Sequence, residues 1–189
     1  MCGRYSLFTD ADSAVIERIL RELTARELDY RTGEIFPTDP APVLLEEGGK
    51  IRSASLRWGY PSPTGKGSLV NARAETAAEK RLFSGDLFRH RCAVPATGFY
   101  EWSHDGPKKK YLFRLPDSPV LFLAGFWGSF DGERRFVVLT TEANDSMRPI
   151  HNRMPVILRE IEVEDWICDG GLAEEYLRRV PPELTRTEV

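Results

Sequence analysis

The clearest periodic pattern of the chain lies close to its start. Five apolar side chains recur there every three or four positions: Val15, Ile16, Ile19, Leu20 and Leu23. This spacing puts them on one face of a helix, so the pattern predicts an amphipathic helix over residues 10–28. Thr9 and Asp12 precede the apolar stripe, and either would serve as the N-cap.

From Cys92 onwards, short apolar runs alternate with Gly, Pro and charged residues, which is typical of strands joined by short turns. We predict strands over residues 54–58, 91–94, 97–102, 110–115, 120–126, 136–140 and 154–158. We predict short helices over residues 72–83, 161–167 and 172–180, and a helical turn over residues 145–150. This order predicts an α+β fold, a single domain over residues 1–189 in which a few short helices flank a curved, barrel-like and mostly antiparallel β-sheet.

The composition narrows the classes of protein that fit. Hydrophobic residues make up 41% of the chain, enough for a buried core. No apolar run is as long as a signal peptide or a membrane span requires. The three cysteines, Cys2, Cys92 and Cys168, are too few and too widely spaced for a disulfide framework or a structural zinc site. We therefore expect a cytoplasmic protein, nucleoid-associated if bacterial, with no metal and no cofactor.

The charge is unevenly distributed along the chain. The net charge of −3 argues against a nucleic-acid partner, because phosphates are usually met by a basic domain. Residues 71–114, however, contain nine Lys and Arg against five Asp and Glu, whereas residues 155–189 contain four against nine. Either this segregation provides a basic face for a polyanion or both segments are ordinary solvated surface.

Cys2 is the most informative single position. If Met1 is removed, Cys2 carries an α-amine and a thiol on adjacent carbons, and the reference pKa of an α-amine is about 7.7–8.0. A neutral amine attacks an aldehyde to give a Schiff base, and the neighbouring thiol can then close a five-membered thiazolidine. Cys2 is therefore suited to lasting capture of an aldehyde. The alternative is that Cys2 is simply the second residue of the chain and has no functional role.

Three further polar side chains fit the same chemistry. Glu101 lies between Tyr100 and Trp102, where partial desolvation would suit general acid–base work. His151 could move protons near neutral pH, and Asn71 could present its amide to a sugar. The alternatives are a solvent-facing strand position for Glu101, a turn hydrogen bond for His151 and an N-cap for Asn71.

Basic side chains could contact phosphates, and one aromatic side chain could stack on a base. The basic set is Arg4, Arg73, Lys80, Arg81, Arg89, Arg91 and Arg153. Trp58 offers the ring face, although a tryptophan at the end of a strand is more often part of the core. We predict that His90 and His104 lie in exposed, charged loops, and we assign a role to neither.

Five motifs together resemble one family, the SOS response-associated peptidase (SRAP) family. In chain order they are Met1-Cys2-Gly3-Arg4-Tyr5, Arg57-Trp58-Gly59, Asn71-Ala72-Arg73-Ala74-Glu75, the run from Arg91 to Trp102, and His151-Asn152-Arg153-Met154-Pro155. They occur in the family's order, and the resemblance extends from Met1 to about Leu158. One of them is tied to the extreme N-terminus, which makes the set highly specific.

The resemblance implies a protein that shields abasic sites in single-stranded DNA, with a mixed fold around a barrel-like sheet. Cys2 would form the thiazolidine with the ring-opened sugar, and Glu101 would act as acid and base in opening the ring and forming the imine. His151 would help to form and reverse the linkage, and Asn71 would line the same pocket. The DNA contacts that the resemblance implies are Arg4, Arg73, Arg81, Arg153 and Thr140.

The chain departs from the family in two loops. Many members carry Asn-x-Ala-Pro-Thr near residue 36, where this chain has Glu34-Ile35-Phe36-Pro37-Thr38. A carboxylate therefore stands where an amide is common. The second loop, residues 60–67, is short and rich in glycine.

Three functions remain open from the sequence. The first is a monomeric DNA–protein crosslinking enzyme acting on abasic sites in single-stranded DNA, with abasic-site lyase and autopeptidase activities as further expectations. The second is a cysteine peptidase that uses Cys2, His151 and Glu101, with removal of its own Met1 alone as the narrowest form of this hypothesis. The third is a non-covalent reader of modified nucleic acid that relies on Trp58 and the arginines.

Overall fold

The predicted amphipathic helix is present in the computed structural model, which describes residues 2–10, 13–104 and 106–189. It runs over Ala14–Ala25 (α1), shorter than expected, and buries its apolar stripe. Its N-cap is Ser13, whose hydroxyl accepts a hydrogen bond from the backbone N–H of Ile16 at 3.4 Å. The prediction of Thr9 as the cap is therefore wrong, and Asp12 lies outside the described residues.

The remaining elements are mostly short strands. In chain order the strands are β1 (Tyr5–Leu7), β2 (Gly33–Ile35), β3 (Pro40–Glu47), β4 (Lys50–Trp58), β5 (Tyr60–Pro61), β6 (Ser68–Leu69), β7 (Asn71–Arg73), β8 (Arg91–Ala96), β9 (Gly98–Trp102), β10 (Lys110–Arg114), β11 (Leu121–Phe130), β12 (Glu133–Glu142), β13 (Arg153–Pro155), β14 (Ile157–Leu158) and β15 (Thr185–Glu188). The helices after α1 are α2 (Ala74–Ala77), α3 (Ser84–Arg89), α4 (Val163–Cys168) and α5 (Gly170–Arg178), with a 3-10 turn at Glu160–Glu162.

A closed barrel forms the centre of the molecule. Its strands follow the order β12-β4-β3-β8-β11, and pairing of β11 with β12 closes the ring. The β12–β4 pair is parallel, and the other pairs of the ring are antiparallel. Closure leaves no free edge along these strands and surrounds a core that includes Phe122, Phe126 and Phe136. The predicted α+β fold with a barrel-like, mostly antiparallel sheet is confirmed.

A second sheet, with the order β15-β10-β9-β1-β2, carries the amino-terminal residues. Strand β1 pairs with β9, so Tyr5 faces Phe99 and Ser6 faces Gly98. A Cβ at Gly98 would come within 2.7 Å of the carbonyl oxygen of Phe113, so only glycine allows this close approach. Because the backbone N–H of Tyr100 also donates to the carbonyl of Arg4 at 2.9 Å, the residues before β1 lie along β9.

The segment that follows Asn71 differs from the prediction. Of the helix expected over residues 72–83, only the four residues of α2 are helical, and turns separate α2 from α3. Asn71 belongs to β7, which pairs in parallel with β12 and places Asn71 opposite Val138. The N-cap position of α2 is Arg73, so an N-cap role for Asn71 is excluded. No helix within the described ranges is long and apolar enough to cross a membrane.

Candidate functional site

Cys2 lies inside the molecule just before β1. Its side chain is 1% exposed, and its Sγ lies 3.7 Å from the carbonyl oxygen of Arg4. Burial, reinforced by the negative charge of Glu101, raises the pKa of the Cys2 thiol to about 12. The thiol is therefore protonated at neutral pH, and Cys2 does not present a ready thiolate.

Asn71 holds the backbone of Cys2. Its Nδ2 donates a hydrogen bond to the carbonyl oxygen of Cys2 at 2.8 Å. The other amide atom, Oδ1, is buried and has no hydrogen-bond partner among the described residues. A buried acceptor without a partner costs free energy unless a ligand supplies a donor, so Asn71 Oδ1 is suited to accept from a sugar hydroxyl.

Glu101, on β9, lies in the same region as Cys2 and Asn71. Only 6% of this residue is exposed, so the solvent-facing alternative for Glu101 is excluded. Its Oε1 accepts from the backbone N–H of Trp102 at 3.3 Å. The carboxylate acts electrostatically on both neighbours, since it contributes to the raised pKa of Cys2 and stabilises the protonated form of His151. Cys2, Glu101 and His151 therefore form one electrostatic unit.

His151 comes from the turn between β12 and β13, close to the predicted turn over residues 145–150. Asn144 organises this turn, because its Oδ1 accepts from the Ser146 hydroxyl at 2.6 Å and from the Met147 N–H at 3.3 Å. His151 is 8% exposed, and its Nδ1 accepts from the Arg153 N–H at 2.9 Å. In the neutral ring the proton then resides on Nε2.

Burial lowers the pKa of His151, and a nearby histidine lowers it further, while Glu101 opposes both effects. The imidazole is therefore neutral at physiological pH and able to accept a proton. The nearby histidine is His104, whose ring centroid lies 4.5 Å from that of His151 with a 52° tilt. No sequence pattern indicates this contact, because the two rings meet only through the tertiary fold.

A cavity of about 300 Å³ opens beside these groups. Its lining residues are Glu101, Trp102, Ser103, His104 and Lys108. A carboxylate, an imidazole and an ammonium group therefore border a space that solvent or a small sugar could enter. No group of three or more His, Cys, Asp or Glu residues in the described part of the chain is arranged to hold a metal ion.

Three of the arginines expected to contact DNA fall into two classes. Arg73 and Arg81 are exposed and form no ion pair with any described residue. Arg153 is largely buried and makes a bidentate bond to Glu75, with both N–O distances at 2.8 Å. Its guanidinium also donates to the Thr140 carbonyl at 2.6 Å, so Arg153 already has protein partners for its charge.

Arg4 lies in an aromatic and acidic environment that the sequence did not predict. Its guanidinium lies 4.3 Å from the Phe36 ring centroid and 5.1 Å from that of Trp102. It also donates to Glu34 at 3.1 Å, and Glu34 accepts from Lys110 Nζ at 2.7 Å. Phe36 is 41% exposed, so this cluster offers an accessible aromatic face beside Arg4.

Three residues expected to contact DNA are interior. Trp58 is completely buried, stacks on Phe136 and donates from Nε1 to the Val70 carbonyl at 3.0 Å, so it has no free ring face. Thr140 is also completely buried. Arg91 donates to backbone carbonyls of α4 and of α3, including that of Trp166 at 2.6 Å. Direct DNA contacts by these three side chains are therefore corrected to structural roles.

A larger cavity, of about 790 Å³, lies elsewhere on the molecule. It is bordered by α2, α5 and the end of β12, and it contains none of Cys2, Glu101 and His151. Its acidic lining residues are Glu75, Glu79, Glu142, Asp145, Glu174 and Glu183, against three arginines. This excess of carboxylates makes the cavity a poor surface for a polyanion.

Comparison with protein families gives one clear match. A family model described as "SOS response associated peptidase (SRAP)" matches residues 1–188. Abasic site processing protein YoqW of Bacillus subtilis (strain 168) is 33% identical over 191 residues, covering 94% of this chain and 85% of the relative. Abasic site processing protein YedK of Escherichia coli (strain K12) is 30% identical over 181 residues, covering 88% of this chain and 79% of the relative.

Solved structures share the fold. A phage-related protein from Bordetella bronchiseptica superimposes with a TM-score of 0.76 at 24% identity, covering 100% of this chain and 94% of that protein. A protein from Bacteroides thetaiotaomicron gives a TM-score of 0.76 at 23% identity, covering 100% of this chain and 92% of that protein.

Proposed function

The chain belongs to the SRAP family, and we propose that it captures abasic sites in single-stranded DNA by a covalent bond to Cys2 after removal of Met1. Relatives named abasic site processing proteins support the substrate class. The observation that carries the chemistry is the convergence of Asn71, Glu101 and His151 on a Cys2 whose thiol is buried and protonated.

The reaction balances as a condensation. The neutral α-amine of Cys2 attacks the aldehyde carbon of the ring-opened sugar, and loss of one water gives an imine. The Sγ atom then adds to the imine carbon, and the thiol proton moves to the imine nitrogen, which closes the thiazolidine. Because the thiol on the adjacent carbon is held in place, closure is intramolecular and strongly favoured.

The site residues have distinct roles in this scheme. Glu101 donates and accepts the protons that open the sugar ring and expel water, since its buried carboxylate adjoins the cavity. Neutral His151 accepts a proton during formation and reversal of the linkage. Asn71 orients the Cys2 backbone through Nδ2 and offers Oδ1 to a sugar hydroxyl.

Two exposed arginines supply a surface for the DNA backbone. Arg73 is the last residue of β7, two positions after Asn71, and Arg81 lies beyond α2, so both belong to the basic segment of the chain. Unpaired guanidinium groups attract phosphates and release counterions on binding. Single-stranded DNA is the expected substrate, because a paired and stacked strand would keep the sugar from a buried nucleophile.

The raised thiol pKa argues against the peptidase hypothesis as the principal activity. A cysteine peptidase needs a thiolate, and burial together with Glu101 disfavours one at Cys2. The aldehyde trap, in contrast, uses the amine first and tolerates a protonated thiol. The hypothesis of a non-covalent reader of modified nucleic acid relied on Trp58 for base stacking, and Trp58 is buried. Met1 itself lies outside the described residues.

The decisive experiment is a denaturing gel with a labelled single-stranded oligonucleotide that contains one abasic site. We expect a slower band that survives boiling with the processed wild-type protein and no such band with an intact oligonucleotide. Cys168→Ala, which removes an exposed thiol, is the matched control and should retain the band. Loss of the band in Cys168→Ala but not in Cys2→Ala would refute the assignment.

A further inference from the structure

His104 begins a turn that is anchored from both sides. It follows Ser103, whose hydroxyl donates to the Pro107 carbonyl at 3.1 Å and accepts from the Lys109 N–H at 3.0 Å. The Ser103 N–H also donates to the Lys109 carbonyl at 3.0 Å. The turn between β9 and β10 is therefore closed by Ser103, which fixes the direction in which His104 leaves the sheet.

This direction places the His104 ring over His151. The two centroids are 4.5 Å apart, a distance at which aromatic rings are in contact. His151 is buried, whereas His104 is exposed and borders the same cavity as Glu101. Two imidazolium rings in contact repel each other, so a charge on His104 disfavours protonation of His151.

We propose that His104 is a positioning residue that packs against the His151 ring and keeps that ring uncharged, so that His151 can accept a proton from the reacting amine. The inference rests on the proposed function for its chemical meaning.

Other charged groups near His151 also raise or lower its pKa. Glu101 on β9 favours the protonated ring. The positive amino terminus opposes protonation, as His104 does, so every variant must be compared in the same amino-terminal form. The guanidinium of Arg153 is engaged by Glu75. Asp105 adjoins His104 in the chain but lies outside the described residues.

The test is an NMR titration of the histidine Cε1 protons in wild type and in a charge series at residue 104. His104→Gln removes the charge and should raise the His151 midpoint by about half a pH unit or more, as expected for a charge at this distance in partly exposed surroundings. His104→Lys keeps the charge at every relevant pH and should lower the midpoint. His90→Gln is the matched control, since His90 packs on Trp127 instead, and should leave the midpoint unchanged.

A second measurement separates electrostatics from packing. The rate at which a preformed crosslink reverses is followed against pH, and its midpoint should rise in His104→Gln and fall in His104→Lys. His104→Phe retains a ring against His151 without a charge. Its maximal rate of crosslink reversal should therefore equal that of wild type, whereas the pH midpoint of reversal should be shifted as in His104→Gln. His151→Ala should remove this pH dependence altogether.

Equal His151 midpoints in wild type, His104→Gln and His104→Lys would overturn the inference even if crosslinks form normally. A shifted His151 midpoint in a protein that never crosslinks would instead refute the proposed function while the histidine pairing stands. The two failures are therefore distinguishable.

Discussion

The side chain of Asn71 donates a hydrogen bond to the backbone carbonyl of Cys2 at 2.8 Å, across 69 positions of sequence. This bond joins β7, a strand attached to the barrel, to the residue that carries the proposed nucleophile. The orientation of the Cys2 amine and thiol relative to the site therefore depends on the barrel and not on the amino-terminal segment alone.

Removing this bond should slow capture more than it destabilises the fold. A hydrogen bond contributes about 1 kcal/mol net, and a comparable loss in the transition state reduces a rate about fivefold. We expect Asn71→Ala to lower the single-turnover rate of crosslinking by about this factor, with a similar midpoint of thermal unfolding. Asn152→Ala, at an exposed asparagine of the His-Asn-Arg-Met-Pro motif, is the control. An unchanged rate in Asn71→Ala would remove Asn71 from the site.

Glu101 should act in formation of the linkage and not in its persistence. A general acid–base group contributes about 10²–10⁴ in rate, so Glu101→Gln should slow crosslinking by a factor in this range. A crosslink formed beforehand should stay intact, because the thiazolidine itself needs no carboxylate. Time courses on denaturing gels give both quantities. If Glu101→Gln crosslinks at the wild-type rate, its burial has only a structural explanation.

The sequence predicted the barrel well where side-chain patterns were strong. The barrel strands β8, β11 and β12 lie close to the predicted positions, because their apolar residues line the core continuously. Strand β15, in contrast, is exposed along its whole length and has no apolar pattern to detect. Strand β1 is only three residues long, too short for a period to be recognised.

The site was predictable only through motifs, and its electrostatics only through the fold. The motifs indicate Cys2, Asn71, Glu101 and His151 as candidate site residues, but the packing of His104 on His151 is a long-range contact without a local signal. The sequence indicates Trp58 as a DNA contact because an indole ring suits base stacking. The fold places it between Tyr5 and Phe136, where its nitrogen finds a backbone carbonyl.

The two exposed arginines should account for part of the salt dependence of DNA binding. Each phosphate contact on a single strand contributes about 0.7 to the slope of log affinity against log salt. We expect Arg73→Gln and Arg81→Gln each to reduce the slope by about this amount, measured by fluorescence anisotropy with an intact single-stranded oligonucleotide. Arg148→Gln, at an arginine paired with Asp145 beside the acidic cavity, should leave it unchanged. Equal slopes in all four proteins would contradict a DNA surface at Arg73 and Arg81.

Glu34 should weaken DNA binding, because it forms ion pairs with two basic side chains, Arg4 and Lys110. The hydrogen bond from Lys110 is the principal cause of the lowered pKa of Glu34, with Arg4 contributing, so the carboxylate is charged at neutral pH. Its pairing is complete above the ordinary carboxyl pKa and is lost only as the pH falls through the lowered value. Glu34→Gln releases Arg4 and Lys110 at neutral pH, and we expect tighter binding to single-stranded DNA with a steeper salt dependence.

A matched change tests whether position or net charge matters at Glu34. Glu133 also lies between two arginines, Arg57 and Arg135, so Glu133→Gln makes the same charge change elsewhere. Only Glu34→Gln should strengthen binding substantially. The same gain in both variants would mean that net charge alone governs affinity and that Arg4 has no special access to DNA.

The order of amine and thiol chemistry at Cys2 gives the sharpest prediction. With Met1 removed, Cys2→Ser keeps the α-amine and replaces sulfur by a poorer nucleophile. It should form an imine that borohydride traps but little adduct that survives heating, and Cys2→Ala should behave similarly. Intact-mass analysis and denaturing gels, with and without borohydride, distinguish these products.

A form that retains Met1 provides the opposite separation, because it keeps the Cys2 thiol but converts the Cys2 nitrogen into an amide. The five-membered ring requires amine and thiol on adjacent carbons, so this form should give no thiazolidine. Burial raises the pKa of the Cys2 thiol to about 12, so the thiol is protonated near neutral pH. A thiol acting alone should therefore also give little adduct at that pH. If the Met1-retaining form crosslinks as fast as the processed one, the amine is not the first nucleophile, and a thiol-only reaction must replace the proposed mechanism.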